Sequence, residues 1–212
     1  MGRGLIYICI FVLFAFMIFP VEKRIVHADL YIWTDANGIR HVSNVSPPQD
    51  EIAEQLSEDD VVFPEGQTFR VVRVFDGDTV RVTGMGLTFK IRLVGIDAPE
   101  TGWKSKAGQP YGKAATDLLS RMVLDRDVVL RQYGTGGYNR MLAEVIIDGK
   151  NINVEMLEKG MAEVYRGKVA RGIDMNRYKE AETFARQRNI GIWSLGKAYQ
   201  SPRQWRREHP RK

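Results

Sequence analysis

Asp76-Gly77-Asp78-Thr79 and the run Arg92-Leu93-Val94-Gly95-Ile96-Asp97-Ala98-Pro99-Glu100 hold the densest set of chemistry-bearing residues in the sequence. Asp78 and Asp97 stand at the ends of stretches that alternate like strands, where two carboxylates can converge. Oxygen ligands with no histidine or cysteine nearby suit calcium or magnesium. Gly77 permits a tight bend that turns Asp78 inward, and Pro99 stiffens the turn that aims Glu100. Arg92, on the strand leading into that turn, carries a planar, permanent charge that matches phosphate oxygens. Arg140, within Tyr138-Asn139-Arg140-Met141-Leu142-Ala143, is a candidate second clamp. Two arginines, a carboxylate pair for a metal and a spare glutamate suit phosphodiester hydrolysis. The cation neutralises a phosphate oxygen. The arginines stabilise charge that grows in the transition state. Glu100 is placed to act as general base.

These groups need a rigid frame. Residues 69–74, 79–82 and 87–94 alternate as strands, the last two joined at Gly84-Met85-Gly86. Residues 111–124 have helical spacing, with Ala114, Leu118, Leu119 and Met122 on one face. Residues 127–132 and 141–147 read as two more strands, followed by a short helix over 153–159 that Gly160 ends. Asp174 can cap a last helix reaching about residue 188, with Tyr178, Ala181 and Ala185 inward. Five strands with a helix after the third and others after the fifth predict an α+β domain over residues 67–195. Its expected form is a five-stranded barrel of the oligonucleotide-binding (OB-fold) type with about three helices.

On these motifs the chain resembles the staphylococcal nuclease (thermonuclease) family. The resemblance covers residues 67–195 and rests on six motifs in order. They are Val74-Phe75-Asp76-Gly77-Asp78-Thr79, the run from Arg92 to Thr101, Tyr111-Gly112 with Ala115, Tyr138 with Arg140 and Leu142-Ala143, Asn153 with Gly160-Met161-Ala162, and Glu180-Ala181-Glu182 with Gly191-Ile192-Trp193. The resemblance implies a calcium-dependent nuclease that cleaves DNA and RNA with little sequence preference and leaves 3′-phosphate ends. It implies that Asp78 and Asp97 are the calcium carboxylates, that Ala98 gives the metal a backbone carbonyl, and that Asp76 is an acid beside it. Arg92, Glu100 and Arg140 take the catalytic roles, and Tyr138 and Tyr165 contact the nucleotide. One loop departs from the family. Gly136-Gly137-Tyr138-Asn139-Arg140 stands where members often carry a basic residue before the tyrosine and a glycine after it. The missing charge predicts weaker nucleotide affinity with the chemistry intact.

Composition bounds the rest. The 212 residues are 44% hydrophobic and 27% charged, values of a folded chain. A single cysteine, Cys9, excludes an internal disulfide framework and a four-cysteine zinc site. Residues 1–28 read as a signal peptide, with Arg3, an uncharged stretch over residues 5–21 and a small residue, Ala28, at the cut. Export to the periplasm or beyond follows, with no membrane span after cleavage; the alternative is an uncleaved N-terminal anchor. Residues 29–50 form a small hairpin around Asn37-Gly38. They resemble a short domain of unknown function on bacterial envelope proteins, which suggests an envelope partner. Residues 51–66 read as an acidic linker, and residues 29–66 carry a net charge of −8. Residues 196–212 are a basic tail of net +5, read as a solvated end that adds phosphate attraction. A monomer is expected. Two other functions compete with the nuclease: a non-catalytic nucleic-acid-binding barrel, and an envelope-binding protein led by the hairpin.

Overall fold

The structure is a computed structural model that describes residues 30–36, 38, 40–43, 53–56, 66–102, 107–136 and 140–210. The signal segment and Tyr138 lie outside the described residues. Three short strands come first: β1 (Leu30–Thr34), β2 (Arg40–Ser43) and β3 (Ala53–Leu56). β1 pairs antiparallel with both others, so the expected hairpin gains a third strand from the segment read as a linker. Trp33 stacks on His41, and His41 Nε2 lies 2.8 Å from Asp35 Oδ2. A hairpin this small is marginal alone. Here β2 runs parallel to a barrel strand, with Arg40 opposite Leu87 and His41 opposite Thr88.

The barrel is built from β4 (Thr68–Asp76), β5 (Thr79–Gly84), β6 (Leu87–Leu93), β8 (Asp127–Gly136) and β9 (Arg140–Ile147). Neighbours pair in the circular order β8-β4-β5-β6-β9, and β9 pairs back to β8. The β6–β9 pairing is parallel and closes the barrel, which leaves no free edge in the ring. Strand alternation fills it: Phe69, Val71, Val80, Val82, Phe89, Ile91, Leu93, Val128, Leu130, Met141, Ala143 and Val145 are buried. Met85 and Gly86 both take positive φ, the geometry of a two-residue hairpin turn.

Two-residue strands flank the site. β7 (Ile96–Asp97) pairs with β11 (Glu163–Val164), and β10 (Lys150–Asn151) extends β9. The helices are α1 (Gly112–Val123), α2 (Ile152–Glu158) and α3 (Met175–Gln187). A 3₁₀ segment follows over Gly191–Ala198. α1 buries Gly112, Ala115, Leu119 and Val123. Ala114, expected inward, is exposed, because the stripe is turned by one position so that Gly112 packs on the Glu100 backbone. α3 buries Tyr178, Ala181 and Ala185, the expected face, together with Glu182.

The basic tail is not a frayed end. Residues Pro202–Glu208 form a further helix, α4. Ser201 caps it by accepting from Gln204 N at 3.2 Å, and Pro202 stands at its first position.

Candidate active site

Asp78 enters the site from the tight turn between β4 and β5. Its own amide donates to Asp76 Oδ1 at 3.1 Å, so the Asp76 carboxylate shapes the turn. Gly77 is required here for space, since its φ is not positive. A Cβ on it would lie 2.7 Å from the Cβ atoms of both Ala115 and Ala98. The turn is therefore clamped between α1 and the segment after β7.

The two acids predicted to converge do so through one arginine. Arg92 donates through Nη1 to Asp78 Oδ1, and through Nη2 to Asp97 Oδ1 at 3.0 Å and to the Ile96 carbonyl at 3.2 Å. Asp78 and Asp97 are 4% and 2% exposed, so they would repel strongly without a cation between them. The rest of Asp78 is also engaged. Its Oδ1 accepts from Thr79 Oγ1 at 3.0 Å and its Oδ2 from the Ala98 amide at 2.7 Å. Burial pulls the Arg92 pKa below its ordinary value. Asp97 and Asp76 push it back up, while Arg140 and Arg206 add to the lowering. Arg140, at the first position of β9, thus joins the predicted group through its charge on Arg92.

Glu100 belongs to a pinned loop. Its amide donates to Gln109 Oε1 at 3.1 Å, and its carbonyl accepts from the Gln109 amide at 2.9 Å. Gln109 Nε2 then donates to the Gln200 carbonyl at 2.7 Å, just ahead of α4. Gln109, which the motif reading passed over, ties the glutamate's backbone to the C-terminal segment.

α4 carries the other residue that the motifs missed. Arg206 Nη1 donates to Asp97 Oδ1 at 3.0 Å and to Glu100 Oε1 at 2.8 Å, while Nη2 donates to Asp97 Oδ2 at 2.8 Å. The hydrogen bonds to Asp97, with Glu100 assisting, raise its pKa further. The signal that points to α4 is Ser201-Pro202-Arg203-Gln204, a cap residue, a proline at the first helical position and a glutamine three residues after the cap.

Tyr165 sits on the flank. Its amide donates to the Gly95 carbonyl at 2.9 Å, the residue is 39% exposed, and its ring lies against Gly167. The neighbouring Glu163 is 3% exposed and accepts from the Tyr199 hydroxyl. Burial pushes its carboxyl pKa up.

Residues 90–195 match the family described as Staphylococcal nuclease homologue. The chain belongs to that family. Residues 25–60 match a domain of unknown function, DUF4124. An uncharacterized endonuclease of Haemophilus influenzae is 37% identical over 145 residues, covering 68% of this chain and 75% of its own length. A probable endonuclease LCL3 of Debaryomyces hansenii is 31% identical over 170 residues, covering 67% of this chain and 72% of its own. The family match begins at Lys90, so it takes in Arg92, Asp97, Glu100 and Arg140. Asp78 lies ahead of it and α4 behind it.

The family implies a bound metal ion, for which Asp78 and Asp97 are the candidate side-chain ligands. Among the described residues no group of three or more His, Cys, Asp or Glu side chains is arranged to hold an ion. The chemistry of Asp78 and Asp97 nevertheless fits a hard cation, being oxygen-only, buried and paired. Four carboxylates (Asp76, Asp78, Asp97, Glu100) and three guanidinium groups (Arg92, Arg140, Arg206) make up the cluster. Withdrawing Arg206 leaves a formal excess of two negative charges, which one divalent cation balances.

Proposed function

We propose that the protein is an exported, calcium-dependent endonuclease that hydrolyses DNA and RNA with little sequence preference and leaves 3′-phosphate ends. The observation that carries this reading is the Asp78–Arg92–Asp97 bridge with Glu100 and Arg140 around it, inside a staphylococcal-nuclease domain whose relatives are named endonucleases. Asp78, Asp97 and the Ala98 carbonyl would hold calcium, which neutralises charge on a non-bridging phosphate oxygen.

Glu100 accepts the proton of the attacking water. Water oxygen bonds to phosphorus, the bond from phosphorus to the 5′ oxygen breaks, and the 5′ oxygen takes a proton from solvent water while Glu100 returns its own to solvent. Arg92 and Arg140 stabilise the charge that grows on the phosphoryl oxygens. Tyr138 and Tyr165 contact the flanking nucleotide. For this chemistry Arg206 must release Glu100 and Asp97, and Arg92 must exchange Asp78 and Asp97 for the phosphate, so we read this arrangement as the resting one. Export rests on the uncharged stretch over residues 5–21 and on the envelope-type N-terminal match. No helix among the described residues is long and apolar enough to cross a membrane. The hairpin is assigned to an envelope partner, and the protein acts as a monomer.

The test is digestion of single- and double-stranded DNA and RNA by residues 29–212 with calcium, with magnesium and with chelator. Calcium-dependent cleavage, lost in Glu100→Ser and Arg92→Ala, supports the reading. Binding without cleavage under every metal would replace it with the non-catalytic binding barrel.

A further inference from the structure

Three cations meet on one aromatic ring beside the site. Arg73 Cζ lies 4.8 Å from the centroid of Phe75, Arg81 Cζ 5.2 Å and Lys90 Nζ 4.7 Å. They come from three adjacent strands on one rung, with Arg73 opposite Arg81 and Arg81 opposite Lys90. Like charges placed directly opposite in a sheet destabilise it. The Phe75 ring attracts each cation. Such a rung is built to meet an anion.

Its position decides which anion. On β6, Phe89, Ile91 and Leu93 fill the barrel, while Lys90 and Arg92 alternate to the other side. Lys90 therefore shares a face with Arg92, two residues and about 7 Å away along the strand. The next rung toward the turn pairs Thr79 with both Arg92 and Asp76. The cation rung thus adjoins the catalytic rung on the same face. Its offset is close to the step between neighbouring phosphates of an extended nucleic-acid strand. Arg81 and Lys90 also lie on the second and third barrel strands, the face with which OB-type barrels grip single strands. A positive track with an aromatic platform is how such strands are held without sequence preference.

We propose that Arg73, Arg81 and Lys90, gathered on Phe75, form a docking track for the phosphate backbone of a single-stranded nucleic acid, continuous with the cleavage site at Arg92. The proposal rests on the nuclease reading given above. The track holds the strand beyond the scissile bond, so it acts on long substrates more than on short ones.

The test compares the wild-type chain with Arg73→Gln/Arg81→Gln/Lys90→Gln and with the charge-keeping Arg73→Lys/Arg81→Lys. Binding of a labelled single-stranded DNA 20-mer is measured in chelator over a range of salt. Loss of three phosphate contacts should reduce the slope of log affinity against log salt by about 2, at about 0.7 per contact. The lysine variant should keep the wild-type slope. The ratio of kcat/KM on a long single strand to that on a p-nitrophenyl phosphodiester nucleotide should fall at least tenfold in the glutamine variant. Thermal melting checks folding, and the midpoint should stay or rise as like charges are removed. An unchanged slope, or equal losses on long and short substrates, overturns the track while the nuclease stands. Loss of binding to phosphatidylglycerol vesicles with no change in the DNA slope overturns it in favour of an anionic membrane. A wild-type chain that neither binds nor cleaves nucleic acid overturns the nuclease reading itself.

Discussion

Arg206 grips Asp97 with two parallel hydrogen bonds, Nη1 to Oδ1 at 3.0 Å and Nη2 to Oδ2 at 2.8 Å. The fork geometry of a guanidinium on a carboxylate makes this a strong, oriented contact. It occupies both oxygens of an acid assigned to calcium, and through Nη1 it also holds Glu100. Arg206→Ala should therefore bind calcium several-fold more tightly in titration calorimetry. Its melting temperature in chelator should fall, because a buried charge loses a partner, and calcium should raise it by more than in the wild type. Equal calcium affinity in the two proteins would show that the contact does not compete.

Glu100→Ser and Arg92→Ala test the chemistry at separate points. Removal of the base should lower kcat about 10²- to 10⁴-fold, and loss of the charge clamp about 10²- to 10³-fold. Arg92→Ala also takes the cationic partner from buried Asp78 while Arg206 still holds Asp97, which costs about 3–5 kcal/mol when no cation replaces the arginine. Chelator should thus expose a stability loss in Arg92→Ala that Glu100→Ser does not share. Arg92→Lys keeps the charge and loses the fork that spans both acids. Arg92→Lys melting like wild type, with full activity, would argue against a bridging role.

The barrel was legible because its strands alternate cleanly and its turns carry Met85-Gly86 and Asp148-Gly149 at positive φ. Asp76, Asp78, Arg92, Asp97 and Glu100 were legible as a group because they sit in two short runs at the ends of paired strands. At Gly77 packing against Ala98 and Ala115, not backbone freedom, demands glycine. Such a contact joins three segments far apart in sequence, so no local pattern shows it. Arg206 was hidden by the same distance, standing 109 positions from Asp97 inside a run of charges that reads as solvated. β3 was masked by its acidic surroundings, since a strand of only four residues, Ala53–Leu56, is too short to show a period.

Gly77→Ala should destabilise the fold by about 1–3 kcal/mol, the usual cost of overpacking. The added methyl meets two other methyl carbons at 2.7 Å, neither at the end of a flexible side chain. Relief requires moving Ala98, whose amide holds Asp78, so activity should fall with stability. Urea unfolding checks the first effect and cleavage rates at a temperature well below melting check the second. A loss under about 0.5 kcal/mol would place the substitution among neutral surface changes and discard the clamp.

Asn153 holds the seam where the barrel closes. It is fully buried at the start of α2, and its Nδ2 donates to the carbonyls of Val94 at 2.9 Å and Ala143 at 3.1 Å. Its Oδ1 accepts from the Val145 amide at 3.0 Å. Leu93 and Ala143 form the last pair of the parallel β6–β9 ladder, so one side chain finishes a pairing that the backbone leaves incomplete. Asn153→Leu keeps the branched skeleton but leaves the Val94 carbonyl and the Val145 amide without that partner. Each such buried group costs about 1–3 kcal/mol, so the variant should lose about 3 kcal/mol or more in urea unfolding. Arg92 pairs with Leu142 on the same seam, and loosening it should also reduce cleavage in the fraction that remains folded. A variant with wild-type stability and activity would show that the parallel ladder closes the barrel unaided.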